Sequence, residues 1–380
     1  MDRSTSKLPP ITLIIEWENA IDVLDAWTER AIQGLARELA AAGPRLAARP
    51  RILYLYDRRK VPAGTIEGAV ARVAPQLPAL ADLEIIPTEG LTYYKLKNFG
   101  VACTRTELAV MIDSDAVPQP GWLDGLLAPF DDPRVMAVGG FTRLGHEDFL
   151  SRAMALSWIF NLADEGARTE RRNSVHVNNF AVRTAFFRDH PFPDLQAFKK
   201  QCVFWLRAIR SEGHLYVRSA AALAVHAPHP GIKFLIWRAW TAGFDSDFVT
   251  YHTRTHSRLG RFLYSFVHFA KKLGRAWYRI LFRAHVVGMP LWERPFALLV
   301  ASGYFGILLA AQMASALTRR FRPLLPVRPL APVLADAKAM DAQPPHLAGS
   351  EHKTAAKADQ TDPAPNLVDV AGKQVETPVP

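Results

Sequence analysis

The feature that most constrains this fold is a short apolar run at residues 108–112, LAVMI, that ends in two acidic residues. Its length and composition are typical of a strand buried on both faces of a sheet. Asp113 and Asp115 follow it at the carboxyl end, where open α/β sheets bind ligands. Two carboxylates on one turn can hold a hard cation such as Mg²⁺ or Mn²⁺ against a diphosphate. An isolated Asp-x-Asp more often only caps a turn, so its context has to decide.

Strand and helix patterns alternate along the first third of the chain. Further strands are predicted at residues 11–15, 51–56 and 83–86. Helices are predicted between the strands, at residues 19–42, 65–77 and 94–104. This alternation indicates an α/β fold with a mainly parallel sheet and helices on both faces. Glu16 and Asp57 then end two strands on the same edge as Asp113 and Asp115, where a nucleotide is expected to lie.

The pattern beyond residue 121 is looser but continues the same domain. Trp122 is expected to open a helix after the Pro- and Gly-rich turn. Later strands are predicted at residues 135–141, 175–182 and 215–225, and later helices at residues 149–162 and 199–212. We assign residues 1–245 to this domain.

The last third of the chain has a different character. Residues 258–285 predict a helix with basic residues on one arc and aromatic residues on the other, as in helices at a membrane interface. An ordinary packed surface helix is the alternative. Residues 295–318 contain no charged residue and are long enough to cross a bilayer, although a re-entrant or surface helix also fits. We therefore assign residues 246–325 to membrane-associated helices and 326–380 to a disordered tail.

The charge of the chain restricts its partners. The formal net charge of the 380 residues is +10 and the pI is about 9.7, so nucleic acid, a membrane surface or phosphate-bearing substrates are candidates. The basic residues concentrate beside the apolar span, which favours a membrane surface at residues 258–318 and no nucleic acid. Two cysteines and a polar amino terminus favour a reducing compartment, so we expect the catalytic domain in the cytoplasm.

Seven stretches in order resemble the family 2 glycosyltransferases, which are inverting enzymes of the GT-A type that use nucleotide-sugar donors. They are ITLIIEWEN, LYLYD, YYKLKNFG, MIDSDAVPQPGWL, AVGG, VNNFAVR and EGHLYVRSAAALAVH. The carboxyl-terminal part is similar to bacterial members that have membrane-associated helices. This resemblance implies a Rossmann-like GT-A fold at a bacterial-type inner membrane.

The resemblance also implies roles for individual residues. On the donor side it assigns Glu16 and Asp57 to the base and ribose, and Lys97 and Asn98 to the nucleotide. Asp113 would reach the ribose or the metal's water, and Ser114 would also contact the nucleotide sugar. It assigns Asp115, with Asp113 and His226, to a Mn²⁺ or Mg²⁺ ion on the diphosphate. It assigns Trp122, Asn179 and Arg183 to the acceptor side. For Asn179 and Arg183, a hydrogen-bonded turn and a surface charge are equal alternatives. A histidine that follows a strand, such as His226, more often only makes a hydrogen bond within the loop.

One position departs from the family pattern. An inverting transfer needs a general base for the acceptor hydroxyl, and the family supplies it from a Glu-Asp pair that falls here on Gln201 and Cys202. Glutamine is no useful base, and a thiol acts only as thiolate. Among nearby carboxylates we expect Asp194 to be the first candidate. The others are Glu165, Glu170, Asp245 and Asp247.

Two hypotheses follow from the sequence. The first is a metal-dependent glycosyltransferase that moves a sugar from a nucleoside-diphosphate sugar to a lipid-linked or envelope glycan acceptor. The second, motivated by Gln201 and Cys202, is a catalytically silent nucleotide-sugar-binding subunit of a membrane glycan-assembly complex.

Overall fold

An eight-stranded sheet lies at the centre of the computed structural model, which describes residues 7–23, 25–163, 175–195, 197, 199–228 and 231–321. Its strands are β1 (Ile11–Glu16), β2 (Arg51–Asp57), β3 (Asp82–Thr88), β4 (Leu108–Asp113), β5 (Ala116–Pro118), β6 (Val135–Leu144), β7 (Asn179–Arg183) and β8 (Leu215–His226). Their order across the sheet is β3-β2-β1-β4-β7-β6-β8-β5.

The first four strands in this order are all parallel, so their carboxyl ends meet at one edge. Beyond β4 the directions are mixed: β7 is antiparallel to both β4 and β6, β8 is parallel to β6, and β5 is antiparallel to β8. The predicted α/β fold is confirmed, and its second half forms a mixed sheet.

Helices cover the sheet and continue beyond it. They are α1 (Asp25–Ala42), α2 (Thr65–Val73), α3 (Leu77–Leu80), α4 (Tyr93–Cys103), α5 (Trp122–Leu127), α6 (Phe149–Ser157), α7 (Thr184–Asp189), α8 (Gln201–Ser211), α9 (Ile232–Thr253), α10 (Arg258–Phe282) and α11 (Arg294–Thr318).

Strand β4 shows why its sequence is continuously apolar. Val110 and Ile112 belong to one core, with side chains of α1 and α5. Ala109 and Met111 belong to another core, with side chains of α4 and α8. Successive side chains of a strand point to opposite faces, so a strand covered on both sides needs an apolar residue at every position.

Several predicted boundaries differ from the structure. The helix expected at residues 19–42 starts as a separate 3₁₀ turn, Asn19–Asp22, and the one expected at 65–77 divides into α2 and α3. The strand expected from residue 175 begins at Asn179, and the helix expected to reach residue 162 ends at Ser157. Strand β5 and helices α7 and α9 were not predicted. In α9 apolar residues face all sides, so the sequence lacks a clear helical stripe.

A second group of helices, α9, α10 and α11, packs together with α6. One buried carboxylate joins all three: Asp247 of α9 accepts hydrogen bonds from Arg261 Nη1 of α10 at 2.6 Å and from Ser315 Oγ of α11 at 2.7 Å. The domain boundary expected between residues 245 and 246 lies inside α9.

The basic and apolar faces of α10 differ from the prediction of one basic arc and one aromatic arc. Arg279 and Ile280 are both buried, and the Arg279 guanidinium donates to the carbonyls of Trp158 and Phe160. The large apolar side chains that α10 leaves exposed are Leu259, Leu263, Phe266, Val267, Trp277, Tyr278, Leu281 and Phe282. Part of the expected apolar arc is used for packing, and the exposed apolar face is displaced around the helix.

The residues 291–318 form a stretch that is long and apolar enough, by length and composition alone, to cross a membrane. It includes α11, which matches the span expected at residues 295–318. The expected disordered tail at residues 326–380 lies outside the described residues, as do Glu165 and Glu170.

Candidate functional site

Acidic side chains gather at the carboxyl edge of the parallel strands. Glu16 of β1 is the register partner of Asp113 of β4, and both side chains are buried. Burial, reinforced by the negative charge of Asp113, raises the pKa of Glu16 well above its usual range. The predicted convergence of these two acids is therefore present in the structure.

Asp113 is held by two residues of α4. Lys97 Nζ donates to its carboxylate at 2.7 Å, and the Tyr93 hydroxyl lies 3.0 Å from both oxygens. These two residues are four positions apart, so they share one face of the helix. Burial alone would raise the pKa of Asp113, but the charges of Lys97 and Lys199 outweigh it and lower the pKa. Asp113 is thus kept ionised although it is buried.

Asp115 meets His226 across the pairing of β5 with β8. Ala116 is the register partner of His226, and the Ala227 amide donates to the Asp115 carbonyl at 2.8 Å. His226 Nε2 lies 3.4 Å from Asp115 Oδ2. His226 Nδ1 lies 2.7 Å from the Ala227 carbonyl, which can only accept, so we assign the proton to Nδ1. The Nε2 lone pair then faces the carboxylates, as in a metal-binding imidazole.

The ligand atoms of Asp113, Asp115 and His226 all lie within 4.8 Å of one another, and all three residues are buried. Two carboxylates and a neutral imidazole suit a divalent cation such as Mn²⁺. Burial, with repulsion from Asp113, raises the pKa of Asp115 to about 6, and only a protonated His226 would oppose the shift. A group of ligands that is costly to ionise without a cation is consistent with a metal site.

The other residues predicted for the donor lie at different distances from this cluster. Ser114 is buried next to Asp113, and its hydroxyl has no partner among the described residues. Asp57 binds the Arg59 guanidinium and accepts from the Gly90 amide, and the Arg59 hydrogen bond lowers its pKa. The Asn98 amide instead exchanges two hydrogen bonds with the Phe192 backbone, which fixes the segment before α8.

The residues predicted for the acceptor side have mainly structural contacts. The Trp122 indole donates to Asn179 Oδ1 at 2.8 Å, and Asn179 Nδ2 donates to the carbonyls of Phe141 and Ala222. Arg183 is the register partner of Leu108, which places it at the opposite end of β4 from Asp113. It is not brought to the acidic cluster.

The candidates for the general base are separated by the fold. The Asp194 carboxylate is 70% exposed and pairs with Lys95 Nζ at 2.9 Å. Gln201 is buried and donates to the Ala197 carbonyl. Cys202 lies in the core, where burial raises the pKa of its thiol.

Sequence reasoning missed Lys199, Tyr93 and the position of Asp245. Lys199 Nζ lies 3.5 Å from the centre of the Tyr93 ring, and burial lowers its pKa although Asp113 and Glu16 oppose the shift. Asp245 of α9 is buried and accepts from the Lys199 amide at 3.0 Å, just before α8 begins. The spacing of Tyr93 and Lys97 in YYKLK was a usable signal, whereas nothing local connects Asp245 with α8.

The architecture and the acidic edge define an α/β protein with a candidate metal centre. Residues 79–191, less than a third of the chain, match the family model of glycosyl transferase family 2. The match includes Lys97, Asp113 and Asp115 and supports a glycosyltransferase enzyme. No curated protein has a significant sequence match to this chain.

Two of the solved structures that resemble the chain contain Mn²⁺. One is the mannosyltransferase PcManGT from Pyrobaculum calidifontis in complex with GDP-Man and Mn²⁺, with 20% identity, a TM-score of 0.44, and coverage of 90% of this chain and 84% of that one. The other is GalNAc-T7 with UDP, GalNAc and Mn²⁺, with 11% identity, a TM-score of 0.44, and coverage of 65% and 51%.

The raised pKa of Asp115 predicts that its ionised carboxylate weakens the metal-free fold. The pKa of Asp115 is about 6 in the folded protein against an ordinary value of 3.8, so the native state binds the proton more strongly than the unfolded state does. Stability therefore falls as the pH rises through this interval. We expect Asp115→Asn to increase the free energy of unfolding in EDTA at pH 7.5 by on the order of 2–3 kcal/mol, and by about half of that at pH 5. Chemical denaturation at both pH values measures the effect.

The matched control for this prediction is Asp131→Asn, which removes an exposed carboxylate. It should leave the unfolding free energy within about 0.5 kcal/mol of wild type. A loss of stability in Asp115→Asn at pH 7.5 would contradict the prediction.

Proposed function

We propose that this protein is a metal-dependent glycosyltransferase that transfers a sugar from a nucleoside-diphosphate sugar by inversion. The observation that carries the proposal is the buried group of Asp113, Asp115 and His226 at the carboxyl edge of the parallel strands. Two of these residues lie in the segment that matches the glycosyltransferase family. We assign Asp115, Asp113 and His226 as ligands of a Mn²⁺ or Mg²⁺ ion, which supplies positive charge to the diphosphate when bound.

The reaction explains why this edge needs both acids and cations. The acceptor oxygen forms a bond to the anomeric carbon while the bond from that carbon to the diphosphate oxygen breaks, and the nucleoside diphosphate leaves with additional negative charge. Lys97 Nζ donates to Asp113 Oδ1 at 2.7 Å and keeps this carboxylate ionised. Lys199, over the Tyr93 ring, adds a second cation close to the acidic edge. We propose that Lys199 interacts with the departing diphosphate.

Aromatic and polar side chains lie close to Asp113 near the carboxyl end of the parallel strands. Trp17, Tyr54 and Ser114 line a gap beside Asp113 of about 10 Å³, which is no larger than a water molecule. The Trp17 and Tyr54 rings meet edge to face with centroids 5.6 Å apart. We propose that the base and ribose bind at this end of the sheet, with Glu16, Asp57 and Ser114 as the polar contacts.

The proton acceptor is the position where this chain differs from the family pattern. The buried thiol of Cys202 has a raised pKa, so it is protonated at neutral pH and is a poor base. Asp194 is mostly exposed and paired with Lys95. Asp245 of α9 is instead a buried carboxylate that accepts from the Lys199 amide, just before the start of α8, where the family base is expected. We propose that Asp245 accepts the proton of the acceptor hydroxyl.

The exposed apolar side chains of α10 and α11 support attachment to a membrane. They include Leu263 and Phe266 of α10 and Phe296 and Leu299 of α11, and the exposed Leu291 and Trp292 come just before α11. Such a surface is typical of helices that lie in the interface of a bilayer. We propose that the enzyme acts at the cytoplasmic face of a bacterial-type inner membrane on a lipid-linked or envelope glycan acceptor.

The metal assignment predicts that Asp115→Asn lowers donor turnover by about a hundredfold or more, since an amide is a weaker ligand than a carboxylate. Binding of UDP, GDP and dTDP is first titrated with and without Mn²⁺, and hydrolysis of the corresponding nucleotide sugars is then measured. Asp131→Asn should retain wild-type turnover. Equal turnover by wild type and Asp115→Asn would contradict the metal assignment. Nucleotide binding by the wild type without any turnover would favour the hypothesis of a catalytically silent binding subunit.

The base assignment predicts that Asp245→Asn lowers kcat for transfer by about 10²–10⁴-fold, while Asp194→Asn has little effect. Asparagine can still accept from the Lys199 amide, so the start of α8 is preserved. The pH dependence of kcat is measured for each variant, because loss of a base removes the acidic limb of the profile and a purely structural change does not. A wild-type profile in Asp245→Asn would reject the assignment.

The membrane proposal predicts that Leu263→Gln with Phe266→Gln weakens binding to phospholipid vesicles by at least about tenfold, since each exposed side chain contributes about 1.5–3 kcal/mol when buried. Vesicle flotation measures the partition. The control is Ile21→Gln with Ile159→Gln, which removes two exposed isoleucines outside α10 and α11. Equal losses in both double variants would contradict the proposed surface.

A further inference from the structure

A groove with a volume of about 660 Å³ runs between α8, α9 and α10, away from the acidic edge. Six basic or potentially basic side chains line it: Lys200, Arg207, Arg210, Arg254, His268 and Lys272. Asp113, Asp115 and His226 do not line it. The groove is therefore separate from the candidate metal centre.

The charges in the groove are all of one sign. No Asp or Glu belongs to its lining among the described residues. Burial, together with Lys200, Arg238 and Arg275, lowers the pKa of Lys272 to about 7. Folding thus brings cations together at an electrostatic cost, and a bound anion would offset this cost.

The walls of the groove follow from helix periodicity. On α8, Val203, Arg207 and Arg210 are spaced by three or four residues, and on α10 Tyr264, His268 and Lys272 recur at every fourth position. Hydroxyl groups of α9, including Thr250 and Thr253, complete the lining. Basic side chains of α8 and α10 and polar side chains of α9 therefore face one space.

The position of the groove relates it to both the site and the apolar surface. Lys200 lines one end of the groove and directly follows Lys199 in the chain. The positive charge of Lys199 lowers the pKa of Asp113. On α10, at about 100° per residue, the groove residues lie roughly opposite the exposed Leu259 and Trp277. The groove therefore lies on the side of α10 away from Leu259 and Trp277.

We propose that this groove is a binding site for a phosphate-bearing anion, either the headgroup of an anionic lipid or a free phosphate compound. Arginine guanidinium groups bind phosphate oxygens through paired hydrogen bonds, and lysine adds a compact charge. A phosphate or diphosphate group is small relative to the groove, which leaves room for the substituent that it bears. The site goes beyond the proposed transfer reaction and does not depend on the metal.

The test uses the full-length protein in detergent with inorganic diphosphate as the probe, in EDTA so that no metal–diphosphate complex forms. Calorimetric titration should show binding that weakens as salt increases. Arg207→Gln with Lys272→Gln should weaken it by at least about tenfold, the loss expected from a single charge-assisted hydrogen bond. Arg72→Gln with Arg134→Gln removes the same charge from two exposed positions outside the groove and should bind like wild type.

A second arm distinguishes the two sources of the anion. Flotation compares phosphatidylcholine vesicles with vesicles that also contain phosphatidylglycerol. If the groove binds lipid headgroups, its double variant loses the additional binding to anionic vesicles and keeps binding to neutral ones. If it binds a soluble compound, only diphosphate binding falls.

Asp115→Asn should retain diphosphate binding in EDTA, which separates the groove from the metal centre. The proposal is overturned if wild type binds neither diphosphate nor anionic vesicles, or if the groove and control variants lose binding equally. Because no donor or metal is present, these results are independent of whether the protein transfers a sugar.

Discussion

The buried ion pair between Lys97 and Asp113 is the interaction on which the candidate site depends. Its two side chains are almost fully buried and lie 2.7 Å apart, with the Tyr93 hydroxyl as a further donor to Asp113. Removing one partner from such a pair leaves a buried charge uncompensated and typically costs about 3–5 kcal/mol. Helix α4 must therefore pack on the sheet in one register. Burial, reinforced by the charge of Asp113, raises the pKa of both Glu16 and Asp115, and the charge of Lys97 opposes the shift at Glu16.

Two regions of incompletely balanced charge lie on either side of the start of α8. At the sheet edge, burial and mutual repulsion oppose ionisation of Glu16 and Asp115. In the groove between α8, α9 and α10, burial and neighbouring cations lower the pKa of Lys272. A folded protein is most stable when its buried opposite charges are paired. A site that binds a cation or an anion instead needs an excess of the opposite charge.

Features that depend on the local residue pattern were predicted from the sequence, and features that depend on contacts between distant residues were not. The strands β1, β2 and β4 were predicted because burial on both faces produces continuous apolar runs. The meeting of Glu16 with Asp113 followed from parallel pairing alone. Helix α9 was missed because neighbours on several sides remove a polar stripe. Arg183 was expected near the acceptor, but β7 is antiparallel to β4 and carries it to the other end. Strand direction, which a local motif does not encode, made that difference.

The sequence by itself determined the α/β fold, the acidic edge and the apolar carboxyl-terminal helix, because each depends on a local period or on strand ends that parallel pairing aligns. Only the tertiary structure decided which distant groups join that edge. His226 reaches Asp115 through the pairing of β5 with β8, and Asp245 reaches the start of α8 from a helix that the sequence did not reveal. These contacts join residues far apart in the chain. The physical reason is that their positions depend on how whole elements pack, and the spacing of neighbouring residues contains no record of that packing.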